Sequence, residues 1–298
     1  MELEGIYTPV VTPMDANGDI NLGAYAEVLE GQLAAGIHGI IPGGSTGEYY
    51  VMTDAEREQI FRTARDVVGD RAQLIAGANA TATRDVIRHG LLARELGYQA
   101  LMLAPPYYSL PSQTELANHF RAVAEAVDLP IVLYNFPARA GVPIEFDCLD
   151  RLQDVPQIIA MKESSGEFTR LLTVPLRYGD RYQMVCGADD QAADYYLWGT
   201  TAWIAGSANA LPREHVLIHE AGMRRDFDEL IRIYSAIMPV LQSLESGLYI
   251  QKAKVAVGMT GIDVGDPRAP LQQLDDETRA EFEALMRAAM AASKVAGD

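Results

Sequence analysis

Residues 131–163 read IVLYNFPARAGVPIEFDCLDRLQDVPQIIAMKE and hold two short apolar runs on either side of a longer, more polar stretch. The runs Ile131–Tyr134 and Ile158–Lys162 are rich in β-branched and aromatic residues, which favour strands. A strand, a polar loop and an amphipathic helix that leads into the next strand form the unit from which parallel sheets are built. This stretch therefore predicts two neighbouring parallel strands, the second of which ends in a lysine.

The same pattern recurs along the chain at intervals of roughly 25–30 residues, the size of one βα unit. The eight apolar runs are Ile6–Val11, Gly39–Pro42, Gln73–Gly77, Ala100–Ala104, Ile131–Tyr134, Ile158–Lys162, Gln183–Gly187 and Ala202–Ala205. Nearly continuous apolar strands are typical of a sheet that is buried on both faces. Eight such units predict closure into an α/β (β/α)8 TIM barrel. A doubly wound sheet is the alternative, but no GxGxxG follows the first run.

Helix boundaries are marked by capping residues and glycines. Thr53–Glu56 and Ser112–Glu115 have the spacing of capping boxes. Glycines stand where four helices are expected to end, at Gly36, Gly69, Gly97 and Gly199. Beyond Pro212 the strand signals stop, and helices are predicted over Arg225–Leu244, Tyr249–Met259 and Asp275–Ala292. We therefore expect a barrel over residues 1–224 and a C-terminal helical region over residues 225–298.

Composition limits the classes of partner. The 298 residues include 24 Lys and Arg against 41 Asp and Glu, a net charge of −17. A surface this acidic repels phosphate backbones and anionic lipids, so neither nucleic acid nor membrane is expected as a partner. There are two cysteines and no CxxC, and the acidic N-terminus does not resemble a signal peptide. A reduced, cytoplasmic protein is the expectation.

In a barrel of this type, catalytic groups come from the C-terminal ends of the strands and the loops that follow. Lys162 ends an apolar strand, so its ammonium should enter a mouth of low dielectric constant. Burial disfavours the charged form of a lysine and lowers its pKa. A neutral amine is the nucleophile that attacks a ketone to form an imine. The alternatives are a lysine that extends to the rim or pairs with Glu163.

Two other strand ends, those of the second and fifth strands, carry matching chemistry. The turn Gly43–Glu48 offers free backbone N–H groups and two hydroxyls, which suit a small carboxylate. Tyr134 should lie beside Lys162 and is able to move protons during imine formation. Arg139 at the mouth is suited to a second carboxylate. The alternatives are an ordinary βα turn, an aromatic core residue and a surface ion pair, respectively.

Together these residues resemble the dihydrodipicolinate synthase / N-acetylneuraminate lyase family of class I pyruvate-dependent aldolases. The resemblance extends from Gly5–Pro9 to the C-terminal helices. It is most specific at Gly44–Glu48, at Tyr134–Pro137 with Arg139 and Gly141, and at Met161–Glu163. Each motif alone is weak, but the three stand in the expected order at predicted strand ends.

The resemblance implies a role for each site residue. Lys162 forms the Schiff base, Tyr134 and Thr46 relay protons, and Tyr108 completes that relay from a neighbouring subunit. The substrate-binding residues implied are Ser45, Gly47, Arg139, Gly187, Ile204 and Ser207. The substrates would be pyruvate or another 2-oxo acid and an aldehyde. A homotetramer built from dimers is implied, with the Tyr107–Tyr108 loop at a dimer contact, and neither a metal nor an organic cofactor is implied.

The particular reaction is less constrained by the sequence. Arg139 resembles the arginine with which synthases bind aspartate semialdehyde, which argues against an N-acetylneuraminate lyase. Gly44-Ser45-Thr46 replaces the Gly-Thr-Thr usual in lysine-pathway synthases and is common among lyases and sugar-acid aldolases. The regulatory lysine site also differs, at Tyr50, Asp54, Arg57 and Thr83, so feedback inhibition by lysine is not expected.

Three hypotheses follow from the sequence. The first is a synthase-like aldolase that joins pyruvate to an aldehyde acid. The second is a catabolic aldolase or dehydratase acting on a 2-keto-3-deoxy sugar acid. The third, a barrel that binds a 2-oxo acid without turnover, is disfavoured because Lys162, Tyr134 and Thr46 are all present.

Further polar residues have two interpretations each. Hydroxyl-rich substrates would need polar groups such as Asp189, Asp190, Ser207 and Asn209, although acidic residues there also suit a helix N-terminus, and we expect at least one of the two aspartates to act as a cap. His215 and His219 lie four apart on a predicted outer helix, but a metal site is disfavoured there because it lies away from the mouth. Cys186 is expected to be a buried, inert thiol.

Overall fold

The computed structural model describes residues 1–293 and contains a closed barrel of eight parallel strands arranged in sequence order. The strands are β1 Gly5–Thr8, β2 Gly39–Ile40, β3 Gln73–Gly77, β4 Ala100–Leu103, β5 Ile131–Asn135, β6 Ile158–Glu163, β7 Gln183–Cys186 and β8 Ala202–Ile204. Every predicted strand is present within three residues of its predicted bounds. The predicted (β/α)8 barrel with C-terminal helices is confirmed.

Twelve α-helices surround or follow the barrel within the described residues. They are α1 Leu22–Ala34, α2 Asp54–Val68, α3 Thr83–Glu95, α4 Gln113–Val127, α5 Pro137–Ala140, α6 Phe146–Arg151, α7 Arg170–Tyr178, α8 Ala192–Leu197, α9 Pro212–Met223, α10 Phe227–Glu245, α11 Tyr249–Gly258 and α12 Asp276–Ala292. Both predicted capping boxes are formed: Thr53 and Ser112 each exchange hydrogen bonds with the glutamate three residues on. None of these helices is long and apolar enough to cross a bilayer.

Two strands end earlier than the apolar runs do. β1 stops at Thr8 and β2 at Ile40, whereas the runs continue to Val11 and Pro42. In each case a proline, Pro9 or Pro42, interrupts the ladder because it has no N–H to donate.

The alternation of side chains along β6 determines where Lys162 points. Ala160 belongs to the cluster of side chains that fills the barrel, together with Val132 and Tyr134 of β5. Met161 belongs to the outer cluster between strands and helices. Because successive side chains in a strand face opposite sides, Lys162 continues the inward row of Ala160 and extends toward the barrel mouth.

The three C-terminal helices cover part of the barrel. α10 packs against α9 and α12, and α11 packs against α12 and the turn Ser207–Asn209. The three predicted helices beyond residue 224 are thus confirmed to within two residues at each end. The division of the chain into residues 1–224 and 225–298 stays a prediction, and residues 294–298 lie outside the described part.

Candidate active site

Lys162 lies at the C-terminal end of β6, directly beside Tyr134 of β5 in the register of the barrel. Its Nζ is 4.1 Å from the centroid of the Tyr134 ring. The lysine is only 5% exposed. The two side chains are therefore close together, as predicted. The ammonium lies over an aromatic face and is largely shielded from solvent.

The surroundings of Lys162 favour the neutral amine. Burial lowers the pKa of Lys162 from 10.5 to about 8, while the more distant carboxylates of Asp189 and Glu245 act in the opposite direction. Within residues 1–293, no carboxylate oxygen lies within 4 Å of Nζ. Burial also raises the pKa of the Tyr134 phenol. At neutral pH the site therefore holds a protonated phenol beside an amine that loses its proton readily.

Gly187, which follows β7, leaves room for the lysine stem. A Cβ at this position would lie 2.6 Å from Lys162 Cγ and 2.3 Å from Ser164 Oγ, both closer than atoms pack. Ser164 Oγ donates a hydrogen bond of 2.7 Å to the Gly187 carbonyl, which joins the loops that follow β6 and β7. Glycine is therefore required here by the path of the reactive side chain.

The turn after β2 is fixed from three directions. Thr12 Oγ1 donates to the Gly47 carbonyl at 2.9 Å. Glu48 has a φ of +62°, an unusual conformation for a residue with a side chain. It is held by Lys254, whose Nζ lies 2.8 Å from Glu48 Oε1, and by the Arg268 N–H, which donates to Oε2 at 2.8 Å. Two elements of the C-terminal region thus stabilise the turn that carries Ser45 and Thr46.

These groups enclose a cavity of about 310 Å³. Its lining includes six of the predicted site residues: Ser45, Thr46, Tyr134, Arg139, Lys162 and Gly187. A larger cleft of about 660 Å³ between α11 and α12 shares no lining residue with it. The smaller cavity is the candidate active site because it is lined by both Lys162 and Tyr134, and its size suits a small ligand.

Four predicted site residues do not line this cavity. Ile204 packs inside the barrel, and Gly47 is enclosed by Val10 and Thr12. Ser207 is buried, with its Oγ 2.7 Å from His215 Nε2. Tyr108 is 95% exposed. Tyr108 therefore does not complete the site within a single chain.

Asp189, at the end of the loop after β7, is a buried junction between loops. Its carboxylate accepts hydrogen bonds from Trp203 Nε1 at 3.0 Å, from the Ser207 N–H at 3.0 Å and from the Tyr249 hydroxyl at 2.7 Å. The expectation that Asp189 or Asp190 caps a helix is wrong: neither side chain makes a capping bond. The three donors of Asp189 come from parts of the chain that only the tertiary fold brings together.

Several residues around the turn between α10 and α11 line the cavity without having been predicted from the sequence, and two of them are ionisable: Glu245 at the end of α10 and Tyr249 at the start of α11. Partial burial and the neighbouring Asp189 and Asp190 raise the pKa of Glu245 to about 7. The only sequence signal is Gly247, which marks a break between two predicted helices without showing that the break lies over the barrel mouth.

The remaining polar candidates have structural partners. His215 Nδ1 lies 2.7 Å from the Leu211 carbonyl, and His219 Nδ1 lies 3.1 Å from the Tyr196 hydroxyl. Across residues 1–293, no cluster of three or more His, Cys, Asp or Glu side chains has the arrangement of a metal site. Asn209 donates to the Pro9 and Gly206 carbonyls, and burial raises the pKa of Cys186 well above its usual value.

Comparison with known proteins gives one consistent result. Residues 2–289 match the family model described as the Dihydrodipicolinate synthetase family. The chain is 37% identical over 284 residues to a 4-hydroxy-tetrahydrodipicolinate synthase of Exiguobacterium sibiricum, covering 95% of this chain and 97% of the relative. It is 33% identical over 273 residues to 4-hydroxy-tetrahydrodipicolinate synthase 1 of Streptomyces coelicolor, covering 91% and 89%.

Solved structures agree with these relatives. The 4-hydroxy-tetrahydrodipicolinate synthase of Methylacidiphilum fumariolicum superposes with a TM-score of 0.93 at 26% identity, over 97% of both chains. The chloride-inhibited dihydrodipicolinate synthase of Acinetobacter baumannii, solved with pyruvate, gives a TM-score of 0.92 at 27% identity, over 97% of this chain and 99% of that one.

A parallel barrel with a buried amine at the tip of its sixth strand defines a class I lyase, an enzyme that forms a Schiff base with a 2-oxo acid. Its activity is of the 4-hydroxy-tetrahydrodipicolinate synthase type. The chain belongs to the Dihydrodipicolinate synthetase family.

Proposed function

We propose that this enzyme joins pyruvate to an aldehyde acid, with aspartate semialdehyde as the first candidate, through an imine on Lys162. The observation that carries the proposal is a lysine at the β6 tip that is 5% exposed and whose pKa burial lowers to about 8. A desolvated amine without a close anionic partner is suited to attack on a carbonyl carbon.

The reaction proceeds in two halves. Lys162 Nζ attacks the ketone carbon of pyruvate, a C–N bond forms, and the carbonyl oxygen leaves as water after two protons reach it. The imine then loses a proton from its methyl group, and the resulting enamine carbon attacks the aldehyde to form a C–C bond. Hydrolysis by one water releases the product and the free amine. Tyr134 and Thr46, which line the same cavity, are the groups assigned to the proton transfers.

The cavity offers different groups to the two carboxylates. Ser45 and Thr46 stand on the turn that Glu48 anchors, and their hydroxyls and N–H groups suit the pyruvate carboxylate. Arg139 follows β5, three strands along the barrel from that turn, and suits the carboxylate of the second substrate. Gly47, Ile204 and Ser207 are assigned supporting positions behind these groups because they do not line the cavity.

We further propose a cytoplasmic homotetramer in which Tyr108 completes the site of a neighbouring subunit. Tyr108 is 95% exposed and has a φ of +74°, a conformation that a tyrosine keeps only when its surroundings demand it. If Tyr108 acts across subunits, mixing inactive Lys162→Ala and Tyr108→Phe proteins, after dissociation and reassembly, restores activity. No recovery in hybrids of confirmed composition would contradict this arrangement.

A second candidate function is the cleavage or dehydration of a 2-keto-3-deoxy sugar acid. Asp190 and Glu245 favour it, because both line the cavity and carboxylates accept hydrogen bonds from hydroxyl groups. Lys162 would form the same imine in that reaction, so the two candidates differ in the second substrate and share the covalent step.

Trapping with borohydride tests the covalent step. The protein is incubated with pyruvate and borohydride, and intact mass followed by peptide mapping should show one reduced pyruvate adduct on Lys162. Lys162→Ala should show none while retaining its circular dichroism spectrum, and Lys252→Ala serves as the control for loss of another buried lysine. An unmodified Lys162 in the folded wild-type protein would rule out the imine mechanism. Turnover of aspartate semialdehyde beside a panel of keto-deoxy sugar acids then separates the two candidates.

A further inference from the structure

The active-site cavity has walls of opposite charge on the two sides of Lys162. Arg139 follows β5 and belongs to one side, whereas Asp190 follows β7 and belongs to the other. Since β6 lies between β5 and β7 in the barrel, the amine stands between a cationic and an acidic wall. Glu245, from the end of α10, adds a second carboxylate to this cavity.

The fold holds the segment around Glu245 over the mouth. Tyr249, four residues on, donates its hydroxyl to Asp189 Oδ2 at 2.7 Å. Gly206 permits this approach, because a Cβ there would lie 2.3 Å from the Tyr249 hydroxyl. The turn between α10 and α11 is therefore tied to the loop after β7, which keeps the end of α10 beside the cavity.

Of the acidic groups at this wall, Asp189 is already occupied by protein donors. It accepts from Trp203, Ser207 and Tyr249. Glu245 is different: its side chain is exposed, its protein partner is the backbone of Asp189, and within residues 1–293 no lysine or arginine nitrogen lies within 4 Å of its carboxylate. A carboxylate placed beside two aspartates, with Lys162 as the more distant cation, is suited to receive a donor from a ligand.

We propose that Glu245 is a specificity-determining residue that accepts a hydrogen bond from a donor group, an ammonium or a hydroxyl, on the second substrate. Arg139 binds the carboxylate of that substrate, while Glu245 accepts the hydrogen bond from its donor group on the opposite side of Lys162. This inference rests on the proposed imine chemistry and adds a selection rule to it: an aldehyde acid that bears a donor beside its chain is preferred over one that lacks it.

The physical reason is an asymmetry in binding. A site that presents an ionised carboxylate, the form of Glu245 above its pKa of about 7, gains a charge-assisted hydrogen bond from the right ligand and leaves that group unpaired with the wrong one. Discrimination of this kind exceeds what apolar contacts provide. Ammonium and hydroxyl donors differ in one respect, since a glutamine at this position still accepts from a hydroxyl but no longer offers a charge to an ammonium.

The test compares matched aldehydes on the wild-type protein. Aspartate semialdehyde and succinate semialdehyde share a carboxylate and an aldehyde and differ by one ammonium group. Glyceraldehyde and propionaldehyde differ by hydroxyls. With pyruvate as the first substrate, we expect kcat/KM for the donor-bearing member of at least one pair to exceed that of its match by about tenfold or more. Failure to prefer the donor in either pair, including absence of turnover, overturns the inference.

Two variants distinguish the donors. If the donor is an ammonium, Glu245→Gln should remove the preference through KM, by about tenfold, with kcat changed less than twofold. If it is a hydroxyl, Glu245→Gln should retain most of the preference and Glu245→Leu should remove it. Glu281→Gln, on an exposed position of α12, is the control for loss of one negative charge. An equal fall for both members of each pair in the Glu245 variants would overturn the specificity role.

Borohydride trapping separates this inference from the proposed function. The Glu245 variants should still form the pyruvate adduct on Lys162, because the first half-reaction does not involve the second substrate. If the wild-type protein forms no adduct, the imine chemistry fails. If it forms the adduct and shows no donor preference, only the role of Glu245 fails.

Discussion

Two regions of the molecule each bury a lysine, and the two lysines have different partners. Lys162 lies at the tip of β6, and Lys254 lies where α11 meets the turn after β2. Lys162 is 5% exposed and Lys254 is 2% exposed in its side chain. Burial lowers the pKa of both. Lys254 has Glu48 at 2.8 Å and donates to the Asp266 carbonyl at 2.9 Å, whereas Lys162 has an aromatic ring and no carboxylate within 4 Å among residues 1–293.

The difference shows that burial alone does not make a lysine reactive. An ion pair returns part of the solvation that the ammonium loses, and at Lys254 that pair holds Glu48 in place. Lys162 has no ion-pair partner within 4 Å among residues 1–293, so burial lowers its pKa to about 8 and the neutral amine becomes accessible near neutral pH. The same residue type thus stabilises the structure at one position and, in the proposed mechanism, supplies a nucleophile at the other.

The largest expected effect is on the paired lysine. Lys254→Met leaves the Glu48 carboxylate buried without its cation, which should lower the free energy of unfolding by about 3–5 kcal/mol. Urea denaturation measures the loss. The double variant Lys254→Met/Glu48→Gln, which removes both charges, should recover part of it. A single variant as stable as the wild type would show that the pair does not stabilise the turn.

The opposite sign is expected for the unpaired lysine. Lys162→Met removes an amine whose pKa in the fold, about 8, lies below its usual 10.5. Below pH 8 the folded protein carries the full cost of that charge, so the variant should be more stable at pH 7 by up to about 3 kcal/mol. Between pH 8 and 10.5 the folded wild type sheds the proton first, and the gap should close. If Lys162→Met were instead less stable than the wild type at pH 7, the predicted difference in sign between the two lysines would be wrong.

The smallest effect is a pH dependence of the first covalent step. Because only the neutral amine attacks pyruvate, the rate of adduct formation on Lys162 should rise about tenfold from pH 7 to pH 9, with a midpoint near the pKa of about 8. Single-turnover trapping followed by mass spectrometry gives the profile. A midpoint near 10.5 would mean that Lys162 is solvated like an ordinary surface lysine.

The barrel and the reactive strand tips could be predicted because their determinants are local. Apolar runs, capping boxes and glycines each identify an element from a few consecutive residues. Because sites in such barrels form at the carboxyl ends of the strands, the residues at those ends are predicted to lie close together. The sequence therefore predicts that Tyr134 and Lys162 lie together. Pro9 and Pro42 lie inside the apolar runs, and their missing N–H groups explain why β1 and β2 end early.

The acidic wall could not be predicted in the same way. Asp189 resembles a helix cap in sequence, but its donors Trp203, Ser207 and Tyr249 lie 14, 18 and 60 residues away. Glu245 lies in an amphipathic helix whose end reaches the mouth only through the packing of α10 and the bond from Tyr249. Periodicity identifies such helices, but it does not specify which barrel loop they will contact.

The dependence of the mouth on Tyr249 and Lys254 has a consequence for synthesis of the protein. Every strand of the barrel has left the ribosome before either residue is made, since β8 ends at Ile204. A nascent chain that stops before α11 would hold Lys162 and Tyr134 but would lack the contacts to Asp189 and Glu48. Under the proposed mechanism, a complete mouth is therefore expected only once α11 has emerged, after the last strand of the barrel.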